Sequence, residues 1–308
     1  MYKKIFMGIA AVAALTLVSC SSDDLNSLSD NSSKNEAISF DGYWGRSAVS
    51  VNGSRGSVID KAEDLQKVSE GFGVFGHYSS TDGEAFGSNL FENQKVTYST
   101  EETKWTYSPK KYWSPQGHID FLAYAPHVDG TTLKNTSCIE FTVAENAADQ
   151  KDLLWAKAAN QTKANNSGTG KKVKFQFAHA LSRLGYTVKT ALTSSSDVTI
   201  PSDVIITLKK ITLAGSKDGI QKAFYPKGTI NLSTGVWTPS TTDEKQNFVW
   251  LSTDKTLDSD TKNSDKEYLF VIPQNFSKAE ENADALFVIV EYTIKYGDEK
   301  PVTYTVSS

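Results

Sequence analysis

The chain has 308 residues, room for one large domain or two of ordinary size. Its 39% hydrophobic content, with 15 Phe, 13 Tyr and 6 Trp, supports a packed core and excludes a disordered polymer. The 32 basic and 36 acidic residues leave a net charge of −4, and Arg46, Arg55 and Arg183 are its three arginines, a balance that excludes nucleic acid as a partner.

The chain opens with Lys3 and Lys4, an apolar stretch from Ile5 to Val18, then Ser19-Cys20. A charged start followed by an apolar run too short to span a membrane comfortably predicts a signal peptide over residues 1–19. A small residue before cysteine resembles the bacterial lipobox. That resemblance implies that Cys20 is acylated (diacylglycerol, palmitate) and becomes the mature N-terminus. Cys138 is then the one free thiol, no intramolecular disulfide forms, and Cys138 is predicted to be a small buried core residue. Residues 20–36 are polar and without periodicity, which predicts a flexible tether. Within them, Asp23-Asp24 resembles the acidic export signals of surface-exposed lipoproteins.

From Ala37 onward the dominant period is two, as in Val173, Phe175 and Phe177 against Lys174 and Gln176, or Val204, Ile206 and Leu208. This alternation predicts half-buried antiparallel strands. Further strands are predicted at Ile38–Tyr43, Gly73–Tyr78, Gln94–Tyr98, Lys104–Tyr107, His118–Tyr124, Ile139–Val143, Leu153–Ala156, Thr229–Leu232, Phe248–Leu251, Tyr268–Ile272 and Glu291–Tyr296. The run Leu286–Val290 is apolar at every position, which predicts a central strand buried on both faces. Helix is expected mainly at Asp60–Ser69, opened by Asp60 as N-cap; Ala147–Ala159 reads either as helix or, through Leu153-Leu154-Trp155, as strand. Polar residues 161–172 mark a break. The fold class is therefore all-β with little helix, in two β-sandwich domains over 37–170 and 171–308.

Chemical motifs fail on context. Gly71-Phe72-Gly73-Val74-Phe75-Gly76 matches a dinucleotide-binding spacing, yet no helix follows it to aim N–H groups at a pyrophosphate. Residues 165–172 miss the phosphate-binding loop at two positions. The histidines His77, His118, His127 and His179 have no metal-ligand spacing, and Asp258-Ser259-Asp260 departs from a calcium loop at Lys262 and Asn263. Asp149 and Asp152 read as solvated surface charge. No catalytic, cofactor-binding or metal-ligating residue is predicted, and the chain does not read as an enzyme.

One ordered set of segments carries more. Ile38-Ser39-Phe40 leads to arginines, then Phe72-Gly73-Val74-Phe75, Lys104-Trp105-Thr106-Tyr107 and Tyr112-Trp113-Ser114-Pro115. Ile119–Pro126, Asp152-Leu153-Leu154-Trp155-Ala156, Val173–Leu184 and Gly235-Val236-Trp237 follow in order. Together with the lipobox and tether, this set resembles the fimbrillin family, the lipoprotein-derived subunits of type V pili. The resemblance implies two antiparallel transthyretin-like, Greek-key β-sandwiches. It also implies export to the outer membrane, lipid anchoring before processing, and cleavage after an arginine in the N-terminal region. Cleavage frees the first strand, whose Ile38 and Phe40 are expected to plug a groove, and a strand of a neighbouring subunit then fills that groove. The product is a structural and adhesive subunit of surface fimbriae, with other fimbrial subunits and a host surface protein or glycan as partners. An accessory tip or anchor subunit fits the same pattern.

Arg55, in the turn-forming Asn52-Gly53-Ser54-Arg55-Gly56, is the expected processing site and Arg46 the second choice, while Arg183 is expected to be packed. Family members continue with further C-terminal strands, whereas this chain stops at Val306-Ser307-Ser308. Two readings stand: a chain short of its last strands, or a subunit that accepts a strand without donating one. The competing class is a monomeric surface lipoprotein that binds glycans on Trp105, Tyr107, Tyr112 and Trp113.

Overall fold

The computed structural model describes residues 36–44, 59–166, 168, 170–188, 201–251, 254–257, 262–263, 268–276 and 285–308. Cys20, Arg46 and Arg55 lie outside the described residues. Strands dominate, and helix is confined among the described residues to α1 (Ala62–Gln66), α2 (Lys163–Asn166) and a single 3-10 turn at Ala147–Asp149. The all-β expectation holds.

The first sheet has seven strands: β1 (Phe40–Trp44), β2 (Phe72–Ser79), β3 (Phe91–Ser99), β4 (Lys104–Thr106), β5 (His118–Ala125), β7 (Leu154–Gln161) and β8 (Val173–His179). They lie in the order β1-β8-β7-β5-β2-β3-β4. Between β5 and β7 in the chain, β6 (Cys138–Thr142) leaves this sheet and pairs with β12 (Lys227–Asn231), which also pairs with β13 (Trp237–Pro239). Strands β9 (Ser182–Leu184) and β17 (Leu269–Val271) form one two-stranded sheet, and β10 (Thr187–Val188) and β16 (Lys262–Asn263) another. The last sheet runs β14 (Phe248–Leu251), β11 (Val204–Ala214), β18 (Phe287–Tyr296) and β19 (Val302–Ser307), with β15 (Lys255–Leu257) also on β11. β8, beyond residue 170, completes the first sheet, whereas β6, before it, joins β12; no single point of the chain separates the sheets.

Two apolar cores follow from this layering. Phe72, Val74, Ile119, Phe121 and Ala123 pack to one side of the first sheet with Ile38, Phe40, Val173 and Phe175. Phe75, Leu122 and Tyr124 pack to the other side with Leu208, Ile211, Leu213, Phe224 and Phe270. That is why Phe72–Gly76 in β2 and Phe121–Ala125 in β5 are unbroken apolar runs: alternate side chains feed different cores. The glycines of the dinucleotide-like motif serve this packing. A Cβ on Gly73 would lie 2.4 Å from the Tyr124 ring, and one on Gly76 would lie 2.7 Å from Phe91.

Several local expectations change. Asp60 does not cap α1, whose N-cap is Lys61 without a side-chain hydrogen bond; Asp60 is turned inward to an ion pair instead. Ala147–Ala159 divides into the 3-10 turn and β7 rather than forming one helix. Cys138, at the start of β6, is partly exposed rather than buried. Leu286–Val290 and Glu291–Tyr296 form the single strand β18, and Val288 is 38% exposed while Phe287 and Ile289 are buried. Only one side of that segment is covered there, so the central-strand expectation fails at Val288.

Candidate functional site: the groove that holds the first strand

Alternation along residues 36–44 sends Ile38, Phe40 and Gly42 to the same side. Ile38 and Phe40 are each 1% exposed, so both expected plug residues are fully seated. The Phe40 ring is surrounded by Phe91, Tyr107, Phe121 and Phe175 at centroid distances of 5.4–5.6 Å. Edge-to-face and offset pairs of this kind add to the burial itself. Gly42 closes the far end, since a Cβ there would meet Leu65 Cδ2 at 3.0 Å and Phe177 at 3.3 Å.

Main-chain contacts hold the strand on both flanks. β1 pairs with β8 from Phe40↔Val173 to Trp44↔Phe177, and among the described residues this is the one parallel pairing. On the other flank Ile38 N–H donates to Lys111 C=O (2.8 Å), Trp113 N–H donates to Glu36 C=O (3.0 Å), and Ala37 bridges Tyr112. The Tyr107 hydroxyl donates to the Ile38 carbonyl at 2.7 Å. Burial pushes the Tyr107 hydroxyl up to about 12, so it remains a donor across the physiological range. A strand held between two partners in this way leaves two open edges and an apolar trough when it departs.

A charged cluster gathers around Ile59 and Asp60. Ile59 N–H donates to Asp152 Oδ2 (3.3 Å), and His179 Nδ1 meets the same oxygen at 2.8 Å. His179 Nε2 lies 3.5 Å from Asp60 Oδ1, and Arg183 Nη1 reaches both Asp60 oxygens at 3.1 and 3.2 Å. The guanidinium also lies over the Tyr268 ring, 4.7 Å from its centroid. Asp152 is fully buried, contrary to its reading as surface charge; Asp149 is exposed. Arg183 is packed as expected, and its partner Asp60 comes two residues after the stretch 45–58, which contains Arg46 and Arg55. The sequence gives no local sign of this cluster, because its members come from four separate segments.

The aromatic platform expected for a glycan does not exist as such. Trp105, Tyr107 and Trp113 are buried in the core around β1, and Tyr112 alone is on the surface, 52% exposed. Among the described residues no group of three or more His, Cys, Asp or Glu side chains is placed to hold a metal ion.

The fold and the groove define an all-β protein of packed antiparallel sheets with an embedded, parallel first strand. The sequence matches the fimbrillin-like family over residues 61–308, and the chain belongs to that family. The match begins after β1. No curated protein matches the chain. Its fold is similar to that of a fimbrial protein from Bacteroides vulgatus, at 21% identity and a TM-score of 0.60, covering 89% of this chain and 88% of that one. A candidate cell adhesion protein from Bacteroides uniformis is similar at 17% identity and a TM-score of 0.46, with 88% and 83% covered.

Proposed function

We propose that this protein is a structural and adhesive subunit of surface fimbriae, assembled by exchange of its first strand. It is exported as an outer-membrane lipoprotein anchored through Cys20 and cut after Arg55, with Arg46 as the second site. β1 then leaves, and a strand of a neighbouring subunit takes its place. The observation that carries this reading is the seating of β1. Ile38 and Phe40 occupy a groove between β8 and residues 111–113, and both candidate arginines fall between Trp44 and Ile59. A cut at either one severs β1 from everything that follows.

Magnitudes suit an exchangeable strand. Residues 36–44 supply two large side chains to the groove, Ile38 and Phe40, followed by Gly42. At about 1.5–3 kcal/mol each, they contribute about 3–6 kcal/mol of apolar burial. While β1 is covalently attached, this suffices to hold it; once cut, it is a short segment diluted into solvent. An incoming strand gains the same main-chain hydrogen bonds and the same trough. Burial of Trp105, Tyr107 and Trp113 removes the basis for the glycan-platform alternative.

The test is substitution of both arginines. Arg46→Ala/Arg55→Ala is expected to leave a folded monomer that does not polymerise on protease treatment, whereas the unmodified chain forms multimers resistant to SDS. Normal multimers from the double variant would refute strand release.

A further inference from the structure

One side of β2 and β5 changes character along its length. On β5, Tyr124 and Leu122 feed the second core, and the next residue on that side, Asp120, does not. Its cross-strand partner on β2 is His77, whose ring lies 5.5 Å from that of Phe86. Lys157 on β7 is the partner of Leu122 and shares this side. Opposite stands the turn between β12 and β13. Gly235 lets this turn press on Trp155, since a Cβ there would lie 2.4 Å from the indole, and Leu232 N–H donates to the Ser137 carbonyl at 2.8 Å. Between them is a cavity of about 280 Å³, with Phe86, Asp120, Lys157, Asn231, Ser233 and Thr234 in its wall.

The polar groups of this wall are held in place. Asn160, at a left-handed φ of 53°, donates its N–H to Asp120 Oδ1 at 2.7 Å. Asp120 Oδ2 lies 3.9 Å from His118 Nε2, and among the described residues no donor comes within hydrogen-bond distance of it. Ser233 N–H donates to Asn231 Oδ1 at 2.8 Å, which fixes the amide and leaves Nδ2 as a donor. Lys157 Nζ reaches Ser233 Oγ at 3.4 Å. The wall thus combines a fixed acceptor, a fixed donor, an ammonium group, hydroxyls and an aromatic ring, and its two charges are of opposite sign.

Resting on the adhesive part of the function proposed above, we infer that this cavity binds one ring of a neutral glycan. A pyranose presents adjacent hydroxyls, each both donor and acceptor, and a C–H face. Its hydroxyls donate to Asp120 Oδ2 and accept from Asn231 Nδ2 and Lys157 Nζ, while the C–H face covers the electron-rich face of Phe86. Opposite charges in one wall favour neither an anion nor a cation. The volume is at the small end for ligand pockets, which start at about 300 Å³, so it admits a single ring and excludes a peptide segment. None of Trp105, Tyr107, Tyr112 and Trp113 takes part. The cavity is on the side of the first sheet away from Ile38 and Phe40, so its occupancy does not require release of β1.

The test is saturation-transfer NMR on the uncut mature subunit. The probes are the methyl glycosides of glucose, galactose, mannose, fucose, N-acetylglucosamine and N-acetylgalactosamine, with that of N-acetylneuraminic acid as the anionic control. At least one neutral glycoside is expected to bind. Asp120→Asn, which keeps an oxygen for the Asn160 N–H, should weaken that binding about tenfold by removing a charged acceptor. Thr234→Trp, at an exposed place on the rim, should abolish it by filling the cavity without touching the core. Both variants should melt as the parent does. If no neutral glycoside binds, or both variants bind as the parent does, the cavity is not a saccharide site. Binding of the anionic control alone would overturn the neutral class, and loss in Thr234→Trp without any effect of Asp120→Asn would refute the role given to the carboxylate. Arg46→Ala/Arg55→Ala should bind the glycoside normally. Failure of the glycan site therefore leaves strand exchange standing, and failure of strand exchange leaves the glycan site standing.

Discussion

Asp152 and His179 meet at 2.8 Å in a site where the carboxylate is fully buried. Burial raises the Asp152 carboxyl above its usual range. At His179 burial opposes the charged form, but the hydrogen bond it donates to Asp152 and the charges of Asp152 and Asp60 outweigh it and raise the imidazole. A raised histidine contributes stability that is fully present below the unfolded value of about 6.5 and is lost as pH rises through the folded value. The raised carboxyl acts with the same sign. Stability measured by urea melts should therefore fall as pH rises above neutrality, and His179→Gln should flatten that slope; an unchanged slope in the variant would contradict the assignment. Tyr107 gives a second residue-level expectation. Tyr107→Phe removes the donor to the Ile38 carbonyl and leaves that acceptor buried, at a cost of about 1–3 kcal/mol. Hydrogen exchange at residues 38–44 should accelerate accordingly in the uncut variant, and unchanged protection would exclude the role. Ile38 and Phe40 were legible from simple alternation, since a period of two survives in five residues. Asp152 was not, because what buries it arrives from residues 59–60, 179 and 183.

At the scale of elements, β1 with β8 is the one parallel pairing among the described strands, an arrangement slightly less stable per residue than antiparallel pairing. β18 shows where an apolar run misleads. Ile289 lies against the loop carrying Gly219, whose Cβ position would be 3.4 Å from Ile289 Cδ1, whereas Val288 opens to solvent. Val288→Asp is therefore expected to shift stability by little, about 0.5 kcal/mol, instead of unfolding this part of the chain. Ile289→Asp should cost several kcal/mol by burying an unpaired charge. Thermal melts of the two variants decide between these faces, and a reversed order would show that the faces are wrongly assigned. Most strands were legible because alternation fixed them. β9, β10, β13, β15 and β16, of two or three residues each, are too short to show a period, whereas β19 carries the same alternation, Val302, Tyr304 and Val306 against Thr303, Thr305 and Ser307, and was missed.

The whole molecule joins its layers through the middle of the first sheet. β2 and β5 contribute to both cores, and β6 and β8 cross the position where composition suggested a break. The polar stretch at 161–172 carries α2 and lies between β7 and β8, which are neighbours in the first sheet. The connection between the cores does not run through β1, because Phe75, Leu122 and Tyr124 join the first sheet to the other core. The cluster around Asp60 and Asp152 holds the chain at Ile59, downstream of both candidate cuts. The central claim is that assembled subunits have lost their first strand. Mass spectrometry of the subunit N-terminus in washed fimbriae tests it most directly. Chains beginning at Gly56 or Ser47 with no peptide from residues 36–44 are expected, and assembled subunits that retain residues 36–44 in full would refute strand loss.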